Sequence, residues 1–417
     1  MAPSRRIAVV GQGFVGLPAA MLAVQAGHSV VGYDTDPYRV LRLEHGDSYV
    51  ADVSSARLVE ALHSGRYLPT GDPDALEGFD IALIAVPTPA TDDRPDLSCI
   101  EAAAKTLAAY LRPRCLVILE STTYPGTTVD IVAPALETSG LTAGRDFRLG
   151  YAPERLDPGA GLDGVVHVPK IAAGIDEQSL RAVVEFWSGL VDTVVPAPDI
   201  QTAEFAKLVE NAFRLVNISF VNELTRDAAV LGVSVWAALQ LAATKPYGYM
   251  PFHPGAGAGG HCLPSDTAYL AWCLRTQGHP SPLIETAARV NRNQPGYVAQ
   301  RIMAGLIRRF HTLTPDRARI VLLGATYKPD VADVRDSCAL KVSTELRRTG
   351  AEVIVVDPLA TDVNGVLAEL TLALVAQASA VAVLVAHHGL DYDLIRRARY
   401  VFDACGVLEP GPNIEQL

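Results

Sequence analysis

The chain reads as an α/β protein with two Rossmann-like doubly wound domains, joined by a long central helix and a helical middle domain. Three observations predict this. Short apolar strands alternate with helices from Arg5 to about Val195. The 33 residues from Asp199 to Leu231 contain neither Gly nor Pro. After about Arg309 strands return in a pattern that repeats the opening, "RIVLLGAT…VIVVDP" against "RIAVVGQG…VVGYD". Alternation of this kind favours a parallel sheet covered by helices on both faces. At 417 residues two or three domains are expected, with boundaries read at 1–196, 197–312 and 313–417.

In chain order, the first strands are "RIAVV", "SVVGYD", "DIALIAVP", "CLVILES" and "FRLGYAP", with helices between them such as Phe14 to Ala26 and Leu97 to Leu111. The Gly- and Pro-free run opens at Asp199, a fitting N-cap, and stops at Gly232. It predicts a helix of roughly 50 Å, long enough to join domains and to offer a face to a second subunit. The closing strands are "ARIVLLGA", "AEVIVVDP", "SAVAVLVA" and "RYVFDA".

Hydrophobic residues make up 49% and charged residues 19%, which suits globular cores and excludes disorder. A net charge of −11 argues against nucleic acid as a partner. The six cysteines form no CxxC pair and no metal-ligand spacing, so no metal is expected. The start "MAPSRRIAVVGQG" enters a strand directly, and no apolar run approaches ~18 residues, so a cytoplasmic protein with no membrane contact is expected.

"GQGFVG" sets Gly11, Gly13 and Gly16 in GxGxxG spacing between a strand and a helix, with Phe14 and Val15 at the helix start. The first glycine allows the tight turn, the second lets pyrophosphate approach the backbone, and the third lets helix and strand pack closely. Asp34 ends the next strand, where a carboxylate can bind both ribose hydroxyls and disfavour a 2′-phosphate; NAD is the expected cofactor. Arg39 pulls the other way, since an arginine there could accept that phosphate. Thr88, Ser121, Thr122 and Thr123 fall at carboxyl ends of strands, where open α/β sheets bind ligands; Ser121 and Thr127 read as caps and turn formers.

On the long helix Lys207 and Asn211 stand four residues apart and share a face. They could form a solvated stripe with Glu204, or offer an ammonium and an amide to a developing oxyanion or a water. Further on, "HPGAGAGGHCLPSD" sets Cys262 among glycines, with Asp266 four residues later. Either the thiol is a positioned nucleophile or it is buried and inert. An NAD site beside a nucleophilic thiol suggests two successive oxidations in one pocket, from primary alcohol through a thiol-trapped aldehyde to a carboxylate.

The motifs "GQGFVGLP", "VPTP", "ESTTYPGTT", "YAPERLDPG", "AEFAKLVENAFR", "GAGAGGHCLPSD" and "GATYKPDVADVRDS", in this order, resemble those of the UDP-glucose/GDP-mannose dehydrogenase family. The resemblance implies four-electron oxidation of a nucleotide sugar at C6 with two NAD+ per turnover. It also implies an NAD domain, a helical middle that forms a homodimer or higher homo-oligomer through the central helix, and a C-terminal UDP domain. Cys262 would carry the thioester; Lys207 and Asn211 would hold the oxyanion and a water; Glu154 would be an acid/base near that water. Asp266 would support the site, and Thr123 would bind water near the nicotinamide. Lys328 would contact the substrate together with Phe252, Gly259 and Leu156, and Arg335 would reach the cofactor side. Local wording most resembles the UDP-N-acetylglucosamine branch, with UDP-glucose and UDP-N-acetylmannosamine as alternatives. Ser265, Thr267 and Ala258 depart from that branch's usual wording. Two remoter readings are a β-hydroxyacid dehydrogenase and an inactive NAD-sensing homologue; Cys262 and "YKPDVADVRDS" disfavour the former, and the retained Cys262, Lys207, Asn211, Glu154 and Asp266 the latter.

Overall fold

The structure, a computed structural model, describes residues 4–91, 94–360, 363, 365–367 and 369–417. It divides into two compact units, Met1–Glu210 and Asn211–Leu417.

The first unit is built on an eight-stranded sheet. Its strands are β1 (Arg6–Val10), β2 (Ser29–Tyr33), β3 (Tyr67–Thr70) and β4 (Ile81–Ile84), with a small antiparallel pair, β5 (Ala90–Thr91) and β6 (Arg94–Pro95), lying outside it. They continue with β7 (Leu116–Leu119), β8 (Arg148–Tyr151), β9 (Lys170–Gly174) and β10 (Val194–Pro196). The order is β10-β9-β8-β7-β4-β1-β2-β3. Along β1, Ile7 and Val9 enter one apolar core and Ala8 and Val10 the other, so a single strand feeds both helix layers. The five strands read from the sequence are present, while β3, β9 and β10 were not foreseen. Nor is the sheet wholly parallel: β9 runs antiparallel to β8, with Gly150 opposite Gly174. Alternating strand and helix signals carry no strand direction, which is why the sequence predicts parallel throughout.

The long helix runs Ile200–Leu231, and the division between units falls within it. Asp199 Oδ1 accepts the Thr202 amide at 2.7 Å. At the other end Gly232 turns left-handed with φ +68, and the Val233 amide reaches back to the Ala228 carbonyl at 3.0 Å, a Schellman closure. The helices Val235–Ala243, Cys262–Thr276 and Pro282–Arg309 follow. The second unit's sheet comprises β11 (Arg319–Leu323), β12 (Glu352–Val356), β13 (Val366–Leu367), β14 (Ala380–Val383), β15 (Val401–Asp403) and β16 (Ile414–Gln416). All its pairs are parallel, in the order β13-β12-β11-β14-β15-β16, the doubly wound order of a six-stranded Rossmann sheet. Among the described residues no helix is long and apolar enough to cross a membrane.

Candidate active site

In the first unit the strand order reverses at β1, which pairs with β2 on one side and β4 on the other, and the glycine turn lies at that switch point. Gly11 has φ +91, and a Cβ there would lie 2.5 Å from the Ala85 carbonyl oxygen. A Cβ on Gly16 would stand 1.8 Å from the Gly11 oxygen, whereas one on Gly13 would meet nothing within 4 Å. Two of the three glycines are therefore consumed by packing, and Gly13 leaves the open approach that a pyrophosphate needs. Phe14 packs its ring on the first core, and Val15 opens the helix Gly16–Gln25 without a side-chain cap. Gly16→Ala is expected to lower the unfolding free energy by ~3 kcal/mol through overpacking. Gly13→Ala should leave the melting temperature in place and weaken NAD binding roughly tenfold, about 1.4 kcal/mol. Thermal melts and NAD titration of the two variants distinguish these outcomes.

Asp34 is buried and accepts the amides of Gln12 at 2.8 Å and Asp36 at 2.9 Å. Arg39 lies 3.5 Å from both Asp34 and Asp36, so its charge is already shared between two carboxylates. Thr88 is buried just past β4. Thr123, also buried, donates to Thr127 Oγ1 at 2.6 Å, and Thr127 in turn donates to the Tyr124 carbonyl.

Glu204 does not belong to a solvated stripe. It is fully buried and accepts the Gly126 amide at 2.6 Å, the Thr128 amide at 2.9 Å and the Thr128 hydroxyl at 2.6 Å. Burial pushes its carboxyl up to about 7 against the pull of those three donors. It thereby pins the loop that carries Thr123 to the helix that carries Lys207. Lys207 is itself buried, at 8% exposure, while Phe205 and Val209 on the opposite face are exposed. The helix thus buries Glu204 and Lys207 on the side away from its exposed phenylalanines.

Glu154 follows β8. Its Oε1 accepts the amides of Arg155 and Leu156, both at 2.8 Å, and its Oε2 accepts Lys170 Nζ at 2.8 Å. Burial would raise this carboxyl, but Lys170 and the two amides hold it below the usual range. The acid/base expected there rests as a carboxylate and so as a base. The Leu156 side chain packs on the first core, so what it brings to Glu154 is its amide.

In the second unit Cys262 is not in the glycine loop but is the first residue of the helix Cys262–Thr276. Of the six cysteines it is the exposed one; Cys115, Cys273 and Cys338 are buried. A helix N-terminus favours the thiolate. One turn on, Asp266 is buried and accepts from Asn211 Nδ2 at 2.5 Å, which fixes the orientation of that amide.

Three of the loop glycines are closed in by protein. A Cβ on Gly257 would lie 2.9 Å from Cys338 Sγ, one on Gly259 2.7 Å from the Asp336 carbonyl oxygen, and one on Gly260 3.0 Å from the Tyr327 ring. These positions are small because the "TYKPDVADVRDS" segment packs on them, and Gly259 turns its missing side chain toward protein. The Gly260 amide also donates to the Arg335 carbonyl at 3.1 Å. Arg335 forks onto Asp333 at 2.7–3.0 Å, and Lys328 lies half-buried in the same segment. Phe252 meets Phe213 edge-on with centroids 5.9 Å apart.

Three buried amides support this loop and were missed from sequence. Asn291 donates to the Ala258 carbonyl at 2.8 Å and accepts its amide at 2.7 Å. Gln294 donates to the Gly255 carbonyl at 3.0 Å, and Asn222 accepts the Gly255 amide at 2.9 Å. The signal was an Asn and a Gln three apart in "VNRNQPG", inside a helix that otherwise packs on a core. Asn291→Leu strands both polar groups of Ala258 and is expected to cost about 3 kcal/mol, read from denaturant unfolding.

At the end of β12, Asp357 repeats the position of Asp34. It accepts the amides of Ala325 and Thr326, at 2.6 and 3.1 Å, and pairs with buried His387 at 3.0 Å. Burial opposes its ionisation, yet His387 and the turn amides hold the carboxyl far below the usual range. Among the described residues no cluster of His, Cys, Asp or Glu could hold a metal ion.

Comparison with known proteins adds to this geometry. Models of the UDP-glucose/GDP-mannose dehydrogenase family match residues 5–189 (NAD binding domain), 201–293 (central domain) and 321–410 (UDP binding domain). The UDP-N-acetyl-D-mannosamine dehydrogenase of Pyrococcus horikoshii is 36% identical over 355 residues, 85% of this chain and 83% of that protein. The UDP-N-acetyl-D-glucosamine 6-dehydrogenase of Salmonella typhi is 33% identical over 359 residues, 85% of this chain and 82% of that protein. A solved structure of the UDP-D-ManNAc dehydrogenase from Pyrococcus horikoshii superposes with a TM-score of 0.90 at 32% identity, covering 99% of this chain and 98% of that one.

Proposed function

The chain belongs to the UDP-glucose/GDP-mannose dehydrogenase family and is an NAD-dependent oxidoreductase of its UDP-sugar dehydrogenase kind, and on that premise we propose that it oxidises C6 of a UDP-N-acetylhexosamine to the carboxylate. The observation that carries the proposal is Cys262: the exposed thiol, at a helix N-terminus, one turn before a buried Asp266 that orients Asn211.

NAD supplies the hydride acceptor, one molecule for each of the two oxidations. Lys207 and Asn211 hold the C6 oxygen as it gains negative charge. In the first oxidation C6 would give a hydride to NAD+ and its hydroxyl proton to solvent water; the Cys262 thiolate then forms a C–S bond to the aldehyde carbon as the C=O electron pair moves to the C6 oxygen. Loss of hydride from that carbon leaves a thioester. Water then adds, the C–S bond breaks, and the thiolate departs while the Glu154 carboxylate takes the water's proton. Thr123 would hold that water near the nicotinamide. Phe252 and Lys328 would contact the sugar and its diphosphate, Leu156 and Gly259 could contribute only backbone, and Arg335 would reach the cofactor side.

The working units of this reading are an NAD domain over 1–196, a helical domain over 197–312 and a UDP domain over 313–417. The outward Phe205, Val209, Phe213 and Phe220 of the long helix, 45–56% exposed, support a homodimer through that helix.

Sequence wording favours UDP-N-acetylglucosamine, while of the two relatives above the one named for the mannosamine epimer shares the larger identity, which supports that epimer. NADH release across UDP-N-acetylmannosamine, UDP-N-acetylglucosamine, UDP-glucose and GDP-mannose tests it. The expected result is two NADH per acetylhexosamine. Preferential turnover of UDP-glucose would overturn the substrate class.

A further inference from the structure

The assignment of Glu154 as the base does not account for what stands behind it. Lys170, the first residue of β9, is 3% exposed and gives its ammonium to two carboxylates, Glu154 at 2.8 Å and Glu120 at 2.9 Å. The ammonium also lies 4.0 Å from the centroid of the Trp187 ring. Glu120 is wholly buried at the end of β7, and its Oε2 has no hydrogen-bond partner among the described residues. A charge pair placed only for stability does not need a second carboxylate. An orphaned buried carboxylate oxygen is also costly enough to call for a reason.

We propose that Lys170 and Glu120 are positioning residues for the oxidation: Lys170 keeps Glu154 ionised and aimed, and Glu120 sets how much of the Lys170 charge Glu154 receives. This inference rests on the reading of Glu154 as the base.

The geometry has a simple electrostatic consequence. When Glu120 carries a proton, the ammonium serves Glu154 alone and its carboxylate is a weak base. When Glu120 ionises, the ammonium is divided and Glu154 binds protons more firmly. Burial, set against Lys170 and reinforced by Glu154, pushes Glu120 up to about 7, so this division changes near neutrality. The other charged groups on the neighbouring elements are engaged elsewhere. Arg155 pairs with Glu210 and donates to the Pro169 carbonyl. Arg181 pairs with Glu177, Glu185 pairs with Arg5, and Arg148 stands at the opposite end of β8.

The test is the pH dependence of kcat/KM for the UDP-sugar, read by NADH release. Without its ammonium, Glu154 is lifted by burial, so Lys170→Met should move the acidic limb up by about one pH unit or more, and Lys170→Arg should bring it back. Wild-type activity should rise through an inflection near neutrality that Glu120→Gln abolishes; this arm stands even if Lys170→Met fails to fold. Variants that lose rate equally at every pH, with limb and inflection unmoved, overturn the inference. Glu154→Gln separates the two layers. An active Glu154→Gln overturns the reading of Glu154 and this inference with it. An inactive one beside unmoved profiles overturns the inference alone.

Discussion

Cys262→Ser is expected to abolish acid formation, by at least ~10³-fold or about 4 kcal/mol of transition-state stabilisation, while NAD binding stays within twofold. The thiol is exposed at the positive end of a 15-residue helix. A helix end favours the nucleophilic thiolate form of a thiol, and it cannot do the same for a serine hydroxyl at that point. NAD titration, two-NADH stoichiometry and mass spectrometry of the quenched enzyme check the variant. Wild type should show a covalent sugar adduct on the peptide containing Cys262, and the variant none. Normal acid production by Cys262→Ala would sink the covalent route. Brief alkylation should also reach Cys262 before Cys115, Cys273 and Cys338, which are buried.

Much of the fold was legible because its signals are local. The glycine turn, Asp34 at the end of β2, and both ends of the long helix each depend on a few consecutive residues whose backbone needs are specific. The strands that escaped notice lack such signals. β3 is "YLPT", with a proline on the sheet edge; β10 and β16 are three residues each; β9 opens with a lysine that breaks the apolar run. The site divides in the same way. Cys262, Asp266 and the pair Lys207 and Asn211 stood out by residue type and spacing. Glu120 and Lys170, 50 residues apart, look like a strand end and a surface charge until β7, β8 and β9 bring them together. At the loop glycines, Cys338, Asp336 and Tyr327 fill the space a side chain would take. A glycine shows in sequence that a side chain is excluded, but not what excludes it.

Lys207→Met should reduce kcat by roughly 10²–10³-fold, about 2.7–4 kcal/mol, with little change in the affinity for NAD. Its position makes this more than a surface charge. Glu204, Lys207 and Asn211 recur at three- and four-residue steps on one face of the long helix, and Glu204 is locked by three donors from the loop after β7. A buried ammonium is expensive, and among the described residues no carboxylate lies within salt-bridge distance of this one to offset the cost. On the proposed role, an oxyanion that forms during the reaction would supply that partner, so the lysine's interaction would be stronger in the transition state than in the resting enzyme. Methionine keeps the length and the packing of the stem while deleting the charge, so a stable Lys207→Met should lose rate rather than fold. Single-turnover measurements assign the loss: both hydride transfers should slow, because charge develops on the C6 oxygen in each. A drop below tenfold, or one confined to the KM for NAD, would remove Lys207 from the oxyanion site and return it to a structural role.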